Sequence, residues 1–174
     1  MAEYERLRQG LPADETICFI DGVHPTHNVQ PAYGWIKKGV RKEIPANTGR
    51  ARLNLSGSID MITHNVVIQE DQALNAESTI RFFQKIEKAY PNNRQIHVFC
   101  DNAPYYRNKE VKKHLETSKI CLHFLPPYSP NLNPIERLWK WMKERVIYNA
   151  YYGNFEDFKA AVIGFFEILP TLSE

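Results

Sequence analysis

Three acidic residues stand at places where side chains from separate elements could meet. Asp21 follows the apolar run Thr16–Ile20, Asp101 follows the apolar run Ile96–Cys100, and Glu136 lies in the first turn of a predicted helix. Carboxylate oxygens are the ligands that Mg²⁺ and Mn²⁺ prefer in proteins. If the fold brings them together, the three residues predict an all-oxygen metal site.

Each of these acids also has an ordinary structural explanation. Asp-Gly at 21–22 and Asp-Asn at 101–102 are common turn sequences. Asn133 is placed to cap the predicted helix, with Pro134 at its first position. Glu136 then falls at the third position, where a glutamate completes a capping box. Capping and metal binding compete for this carboxylate, and only the combination of three acids favours the metal.

Other polar side chains near the acids are candidates for the same site. His24 and His27 follow Asp21 in the sequence DGVHPTH, which could suggest zinc. An HxxH spacing on a loop without clear further ligands is weak evidence for a zinc site. We interpret the two histidines as loop residues near a substrate. The predicted site-lining residues are His24, His27, Asn102, Tyr128 and Ser129.

Composition places the chain among globular proteins. It has 174 residues, 43% of them apolar, and a formal net charge of +2, which suits one domain with a core and argues against disorder. Cys18, Cys100 and Cys121 are far apart in apolar runs, so we predict buried packing residues in a reduced, cytosolic protein. Residues 1–15 form a polar lead-in, and no apolar run approaches the ~20 residues of a membrane span.

The elements that must position the acids alternate between strand and helix. Predicted strands cover Thr16–Ile20, Tyr33–Lys38, Arg52–Ser58, Asn65–Gln69, Ile96–Cys100 and Ile120–Leu125, and predicted helices cover Ala76–Tyr90, Asn108–Thr117, Pro134–Val146 and Phe155–Ile168. A meander followed by β-α steps predicts an α/β fold, a mixed sheet with helices on both faces. Since sites in such sheets form beyond the carboxyl ends of strands, Asp21 and Asp101 are expected side by side.

A proline-rich loop precedes the helix that carries Glu136. Prolines restrict their own φ and the preceding residue, so the loop in LPPYSPNLNPIERLWKWM can set the start of the helix rigidly. Glu136 lies off the apolar stripe of this helix. That stripe, predicted to pack on the sheet, consists of Ile135, Leu138, Trp139, Met142 and Val146.

Basic residues are grouped as expected for a protein that contacts DNA phosphates. One group lies between positions 37 and 52, where Glu43 is the single acid, and the other lies on the late helices. A solvated surface remains the alternative for the helical group. The predicted DNA-binding residues are Lys37, Lys38, Arg41, Lys42, Arg50, Arg52, Arg137, Lys140 and Lys143.

Three sequence blocks, in order, resemble the Asp-Asp-Glu transposases of the mariner superfamily, in particular its bacterial insertion-sequence branch. The blocks are FIDGVHPTHNVQPAYGWIKKG, HVFCDNAPYYRNKEV and LPPYSPNLNPIERLWKWMK, and the 34 residues between Asp101 and Glu136 match the spacing typical of that superfamily. The resemblance implies a ribonuclease H-like catalytic domain over residues 16–174. Its catalytic acids would be Asp21, Asp101 and Glu136.

The resemblance also implies a reaction. Two Mg²⁺ or Mn²⁺ ions would be bound, with Asp21 bridging both, Asp101 holding one and Glu136 the other. Water would attack a phosphodiester at the transposon end. The freed 3′-hydroxyl would then attack double-stranded target DNA, usually at a TA dinucleotide, without a covalent enzyme intermediate.

Partners follow from the same resemblance. Members of the family work as homodimers in the DNA complex and carry helix-turn-helix modules before the catalytic domain. Only about fifteen residues precede the first strand here, so we expect an isolated catalytic half or a split-gene product. A separate helix-turn-helix region or polypeptide would then recognise the transposon ends. The expected location is the bacterial cytoplasm, at the nucleoid when DNA is bound.

Two other functions stay open at the level of sequence. The chain could be a ribonuclease H-like nuclease without transposition, although the proline-rich block argues against this. It could also be a non-catalytic DNA-binding remnant of a decayed element, although all three acids are present. Metal-dependent nicking separates the enzymes from the remnant, and strand transfer separates a transposase from a nuclease.

Overall fold

The computed structural model describes residues 2–41, 43–47, 50–127 and 132–169. The chain forms two compact units. The first unit comprises Met1–Val23 and Asn54–Arg137, and the second comprises His24–Leu53 and Leu138–Glu174. All three predicted catalytic acids belong to the first unit.

A five-stranded mixed sheet forms the first unit, with strand order β3-β2-β1-β4-β5. The strands are β1 (Glu15–Val23), β2 (Asn54–Asp60), β3 (Val66–Asp71), β4 (Gln95–Cys100) and β5 (Ile120–Phe124). The pairs β1–β2 and β2–β3 are antiparallel, whereas β1–β4 and β4–β5 are parallel. The predicted mixed sheet is therefore confirmed, with β1 at its centre where the pairing changes direction.

Helices cover both faces of this sheet, because its central strands are apolar on both sides. The helices of the first unit are α1 (Ala2–Gln9), α2 (Ala76–Ala89) and α3 (Lys109–Leu115), with a 3₁₀ helix at Pro104–Arg107. One core joins Cys18, Ile20, Val98 and Cys100 to α2 and α3, for example through Phe82, Phe83, Ile86 and Val111. The core on the other face joins Ile17, Phe19 and Phe99 to Tyr4 of α1.

The second unit is built on two late helices. Helix α4 (Ile135–Met142) runs into it from the first unit and is followed by a π-helical turn at Lys143–Ile147, and α5 covers Phe155–Glu167. Within the unit, Trp139 and Phe166 lie edge to face with ring centroids 5.8 Å apart. The predicted stripe of α4 is buried throughout, at Ile135, Leu138, Trp139, Met142 and Val146.

Some predicted boundaries were wrong. Tyr33–Lys38 forms no strand, because it lacks a pairing partner, and Tyr33 and Trp35 are fully exposed at 109% and 106%. The strand predicted at Arg52–Ser58 lies at Asn54–Asp60. Strand β1 continues past Asp21 to Val23, because β2 pairs with it as far as Leu55.

The polar lead-in is also structured, as helix α1, because Tyr4 is buried in the core and Leu7 and Leu11 pack against it. The α4 helix ends earlier than predicted, at Met142, where the π-helical turn begins. Among the described residues, no helix is long and apolar enough to cross a membrane.

Replacing Tyr4 with Ala tests whether α1 is part of the folded unit. The Tyr4 ring lies edge to face with Phe19 at 5.4 Å and with Phe99 at 5.9 Å. The substitution should lower the free energy of unfolding by about 2–4 kcal/mol, since it removes a buried aromatic ring from the core. Urea denaturation measures this. Arg8→Ala, on an exposed position of the same helix, should change stability by less than about 0.5 kcal/mol, and equal effects of the two changes would contradict the packing role.

Candidate active site

Strand register supports the predicted proximity of the two aspartates. Strands β1 and β4 pair in parallel from Glu15↔Gln95 to Phe19↔Phe99. Asp21 lies in β1 two residues after the last of these pairs, and Asp101 is the first residue after β4. A register continued by two residues would set them beside each other, since paired strands lie about 4.8 Å apart. The adjacency of the two carboxylates stays a prediction that this pairing favours.

Tyr105 lies near this end of the sheet. Burial raises the pKa of its hydroxyl to about 12, and the negative charges of Asp101 and, more weakly, Asp21 contribute to the increase. The hydroxyl lies 3.5 Å from the position that a Cβ atom would take at Gly22, next to Asp21. The ring packs against the core on the face of Cys18 and Ile20.

Asp101 also begins a turn, which agrees with the structural explanation that its Asp-Asn sequence suggested. Its Oδ1 atom accepts a hydrogen bond from the backbone N–H of Ala103 at 3.0 Å. This contact turns the chain out of β4 and toward the 3₁₀ helix. An ionised carboxylate has about four acceptor positions on two oxygens, so the turn contact and cation binding are compatible.

Asn102 fastens the same turn to the neighbouring strand. Its Nδ2 atom donates to the carbonyl oxygen of Leu125 at 2.8 Å, and its Oδ1 atom accepts from Arg107. The Arg107 guanidinium lies 3.9 Å from the ring centroid of Phe124. Asn102 was predicted to line the site, and these contacts show that its amide holds the loop after Asp101 to the end of β5.

Asn133 links the start of α4 to β1. Its Nδ2 atom donates to the carbonyl oxygen of Ile20 at 3.0 Å, and its Oδ1 atom accepts from the backbone N–H of Ile135 at 3.4 Å. The side chain is buried, with 4% exposure. The second contact agrees with the predicted capping role. The first was not predicted, and it ties the helix that carries Glu136 to the residue immediately before Asp21.

The predicted histidines lie in the second unit. His24 is exposed, whereas His27 is buried. The Nε2 atom of His27 lies 2.9 Å from the carbonyl oxygen of Tyr152, and its ring packs against Phe155 and Phe158. These contacts give His27 a core role in that unit, and its part in lining the active site stays a prediction, as it does for His24.

The predicted DNA-binding residues are mostly exposed. Exposed members are Lys37, Lys38, Arg41, Arg50, Arg52, Arg137 and Lys140, and Lys143 is half-buried. Arg41 lies 3.2 Å from Glu43, in an ion pair so exposed that it contributes little to stability. The predicted residues Lys42, Tyr128 and Ser129 lie outside the described residues.

The sheet order, the pairing directions and the helices on both faces define the ribonuclease H-like class of catalytic domains. A family model described as "DDE superfamily endonuclease" matches residues 16–159. The chain belongs to this family. The predicted membership in the Asp-Asp-Glu superfamily is therefore confirmed.

Relatives and solved structures agree with this assignment. An uncharacterized 39 kDa protein of insertion element IS630 from Shigella sonnei is 21% identical over 150 residues, which cover 86% of this chain and 44% of that protein. A Mos1 mariner paired-end complex with Mn has the same fold, with a TM-score of 0.65, 17% identity and coverage of 95% of this chain and 51% of that one. A paired-end complex with Mg gives a TM-score of 0.61, 16% identity and coverage of 97% and 51%. The chain thus spans about half the length of these proteins.

Asn133→Asp removes the hydrogen bond that Asn133 donates to Ile20 and keeps the one that it accepts from Ile135. An aspartate still accepts the hydrogen bond from Ile135, but it has no donor for Ile20 and sets a carboxylate against its carbonyl oxygen. The free energy of unfolding should fall by about 1–3 kcal/mol, the cost of leaving a buried acceptor unpaired. Chemical denaturation measures it. Asn108→Asp, at the exposed cap of α3, should shift stability by no more than about 0.5 kcal/mol, and a similarly small shift for Asn133→Asp would rule out the Ile20 contact.

Proposed function

We propose that this chain is the catalytic part of a transposase that cuts DNA at transposon ends and joins the freed ends to target DNA. The observation that carries the proposal is the parallel β1–β4 pairing in a member of the DDE family, which supports a position of Asp21 beside Asp101. The Asn133–Ile20 hydrogen bond supports Glu136 as the third acid, because it holds the start of α4 against β1.

The donor set fits a hard divalent cation. One carboxylate on β1, one directly after the adjacent β4 and a third on a helix tied to β1 offer oxygen ligands alone, as Mg²⁺ and Mn²⁺ require. Asp21, Asp101 and Glu136 would hold one or two such ions. When bound, the cations would make water or a 3′-hydroxyl a better nucleophile and neutralise charge on the phosphate.

The remaining residues of the site would keep these acids in place. Asn102 holds the loop after Asp101 to β5, and Asn133 holds α4 to β1. Tyr105 lies near these acids, and burial together with the charges of Asp101 and, more weakly, Asp21 raises the pKa of its hydroxyl.

DNA would be held chiefly by exposed cations. Lys37, Lys38 and Arg41 lie in a stretch that forms no helix or strand. In the sequence, the fully exposed Tyr33 and Trp35 precede them, and the rest of the basic group follows. Lysine and arginine there can contact phosphates without sequence preference. Sequence-specific recognition of transposon ends would come from a separate helix-turn-helix region or polypeptide.

The family resemblance supports three further proposals. The chain would act as a homodimer on DNA, the target sites would be TA dinucleotides, and the protein would be located in the bacterial cytoplasm.

A nuclease without transposition is the second candidate, since the fold and the acids serve both reactions. A strand-transfer assay with pre-cleaved oligonucleotides that expose a 3′-hydroxyl separates the two. Joined products in Mg²⁺ or Mn²⁺ support a transposase. Nicking without joined products, for any end sequence supplied, supports the nuclease.

Glu136→Gln distinguishes a catalytic acid from a helix-capping residue. Glutamine can fill the third position of a capping box, so the thermal unfolding temperature should hardly change. It lacks the negative charge that binds a divalent cation, so metal-dependent nicking of supercoiled plasmid should fall by at least about 100-fold. The wild-type chain must nick under the same conditions for the comparison to count.

A matched control comes from α3. Glu110 is exposed in the first turn of that helix, after the Asn108 cap, so Glu110→Gln changes a helix-start glutamate outside the site. Nicking by this variant should equal that of the wild type. Full nicking by Glu136→Gln would show that Glu136 only supports its helix.

The double change Lys37→Ala and Lys38→Ala tests the basic group. For each phosphate that a side chain no longer neutralises, the slope of log affinity against log salt concentration should become shallower by about 0.9, so a reduction of about 1–2 is expected for duplex DNA of any sequence. Fluorescence anisotropy at several salt concentrations measures it. Lys109→Ala with Lys112→Ala removes two exposed charges from α3 as a control, and equal slopes for the two double variants would remove Lys37 and Lys38 from the DNA interface.

A further inference from the structure

A cluster of two histidines and a cysteine lies on the sheet, away from the three acids. His97 on β4 pairs in register with Cys121 on β5, and His123 follows two residues later on the same face. One ligand atom from each residue lies within 4.8 Å of the others. The two histidine side chains are nearly buried, with 7% and 10% exposure. The sequence placed all three residues in apolar strands, and nothing in their spacing along the chain suggested a site.

Two carboxylates hold the outer nitrogens of these histidines. The Nε2 atom of His97 lies 2.9 Å from Glu15 Oε2, and the Nδ1 atom of His123 lies 3.0 Å from Glu3 Oε1. An ionised carboxylate only accepts hydrogen bonds, so both of these ring nitrogens carry the proton. Arg94 forms an ion pair with the other oxygen of the Glu15 carboxylate.

The other ring nitrogen of each histidine, here called the inner nitrogen, then points its lone pair toward the other ring. When both rings are neutral, His97 Nδ1 and His123 Nε2 have no hydrogen, yet they lie only 3.0 Å apart. Two lone pairs at this distance repel unless a cation lies between or beside them.

From these contacts we propose that His97, Cys121 and His123 bind a divalent cation of the zinc class, separate from the catalytic metal. Nitrogen and sulfur ligands select Zn²⁺ and similar ions rather than Mg²⁺. Tetrahedral Zn²⁺ with bonds of about 2.0–2.1 Å to nitrogen holds two such atoms roughly 3.3 Å apart, so the inner nitrogens need to separate by only about 0.3 Å. Glu15 and Glu3 are placed as the carboxylates that orient metal-bound histidines.

Binding would change the protonation of the thiol. A cysteine binds zinc-class cations as the thiolate, so the sulfur of Cys121 would have to lose its proton. The cation would form a bond to the sulfur and release that proton to solvent. The ion would then connect β4 to β5 directly, and it would connect them to α1 and β1 through Glu3 and Glu15.

Cobalt titration of the full chain, stripped of metal with a chelator, tests this site. We expect one Co²⁺ per chain to produce a thiolate-to-cobalt charge-transfer band that excess Mg²⁺ does not remove and Zn²⁺ displaces. Cys121→Ser should abolish the band, and Cys18→Ala, which removes a buried cysteine from the opposite core, should retain it. Asp101→Asn should retain it too, so the result does not depend on the proposed catalytic metal.

Two further variants keep the test decisive if Cys121→Ser fails to fold. Glu15→Gln should weaken Co²⁺ binding about 10-fold or more while leaving the band in place, as loss of an orienting carboxylate does. His123→Gln should weaken binding further. The proposal is overturned if folded wild-type protein shows no thiolate band in excess Co²⁺, or if the band survives in folded Cys121→Ser.

Discussion

The parallel pairing of β1 with β4 is the interaction on which the rest of the first unit depends. It joins the antiparallel strands to the parallel ones, and Phe19 and Phe99 stack at its last register pair with ring centroids 5.1 Å apart. A slip of one residue would turn every side chain of one strand to the opposite face. The same register that buries these two rings would, if continued by two residues, set Asp21 and Asp101 side by side.

Two side-chain amides join the segments next to the acids. Asn102 donates to the carbonyl of Leu125, just after β5, and Asn133 donates to the carbonyl of Ile20, just after the last pair of β1 with β4. Buried carbonyl groups need a donor wherever the sheet no longer supplies one. Asn102 also accepts a hydrogen bond from Arg107, so its amide connects a cation to the loop after Asp101.

Local sequence patterns predicted the parts of this structure that depend on local chemistry. The continuous apolar runs of β1 and β4, the helical spacing of α2 and the capping role of Asn133 are examples. Helix α1 was missed because its burial depends on Tyr4 reaching Phe19 and Phe99, which is tertiary packing. Tyr33–Lys38 looked like a strand from its composition, but a strand needs a partner, and composition does not report one.

The hydrogen bond between Asn133 and Ile20 joins residues 113 positions apart, whereas the β2–β3 hairpin pairs segments that are neighbours in sequence. Closing a long loop costs more chain entropy than closing a short one. Contacts between distant segments therefore lower the folding rate and form late in folding. The acids become neighbours only when these distant segments have met. In the proposed transposase, an incompletely synthesised or partly folded chain would consequently have no assembled centre with which to cut DNA.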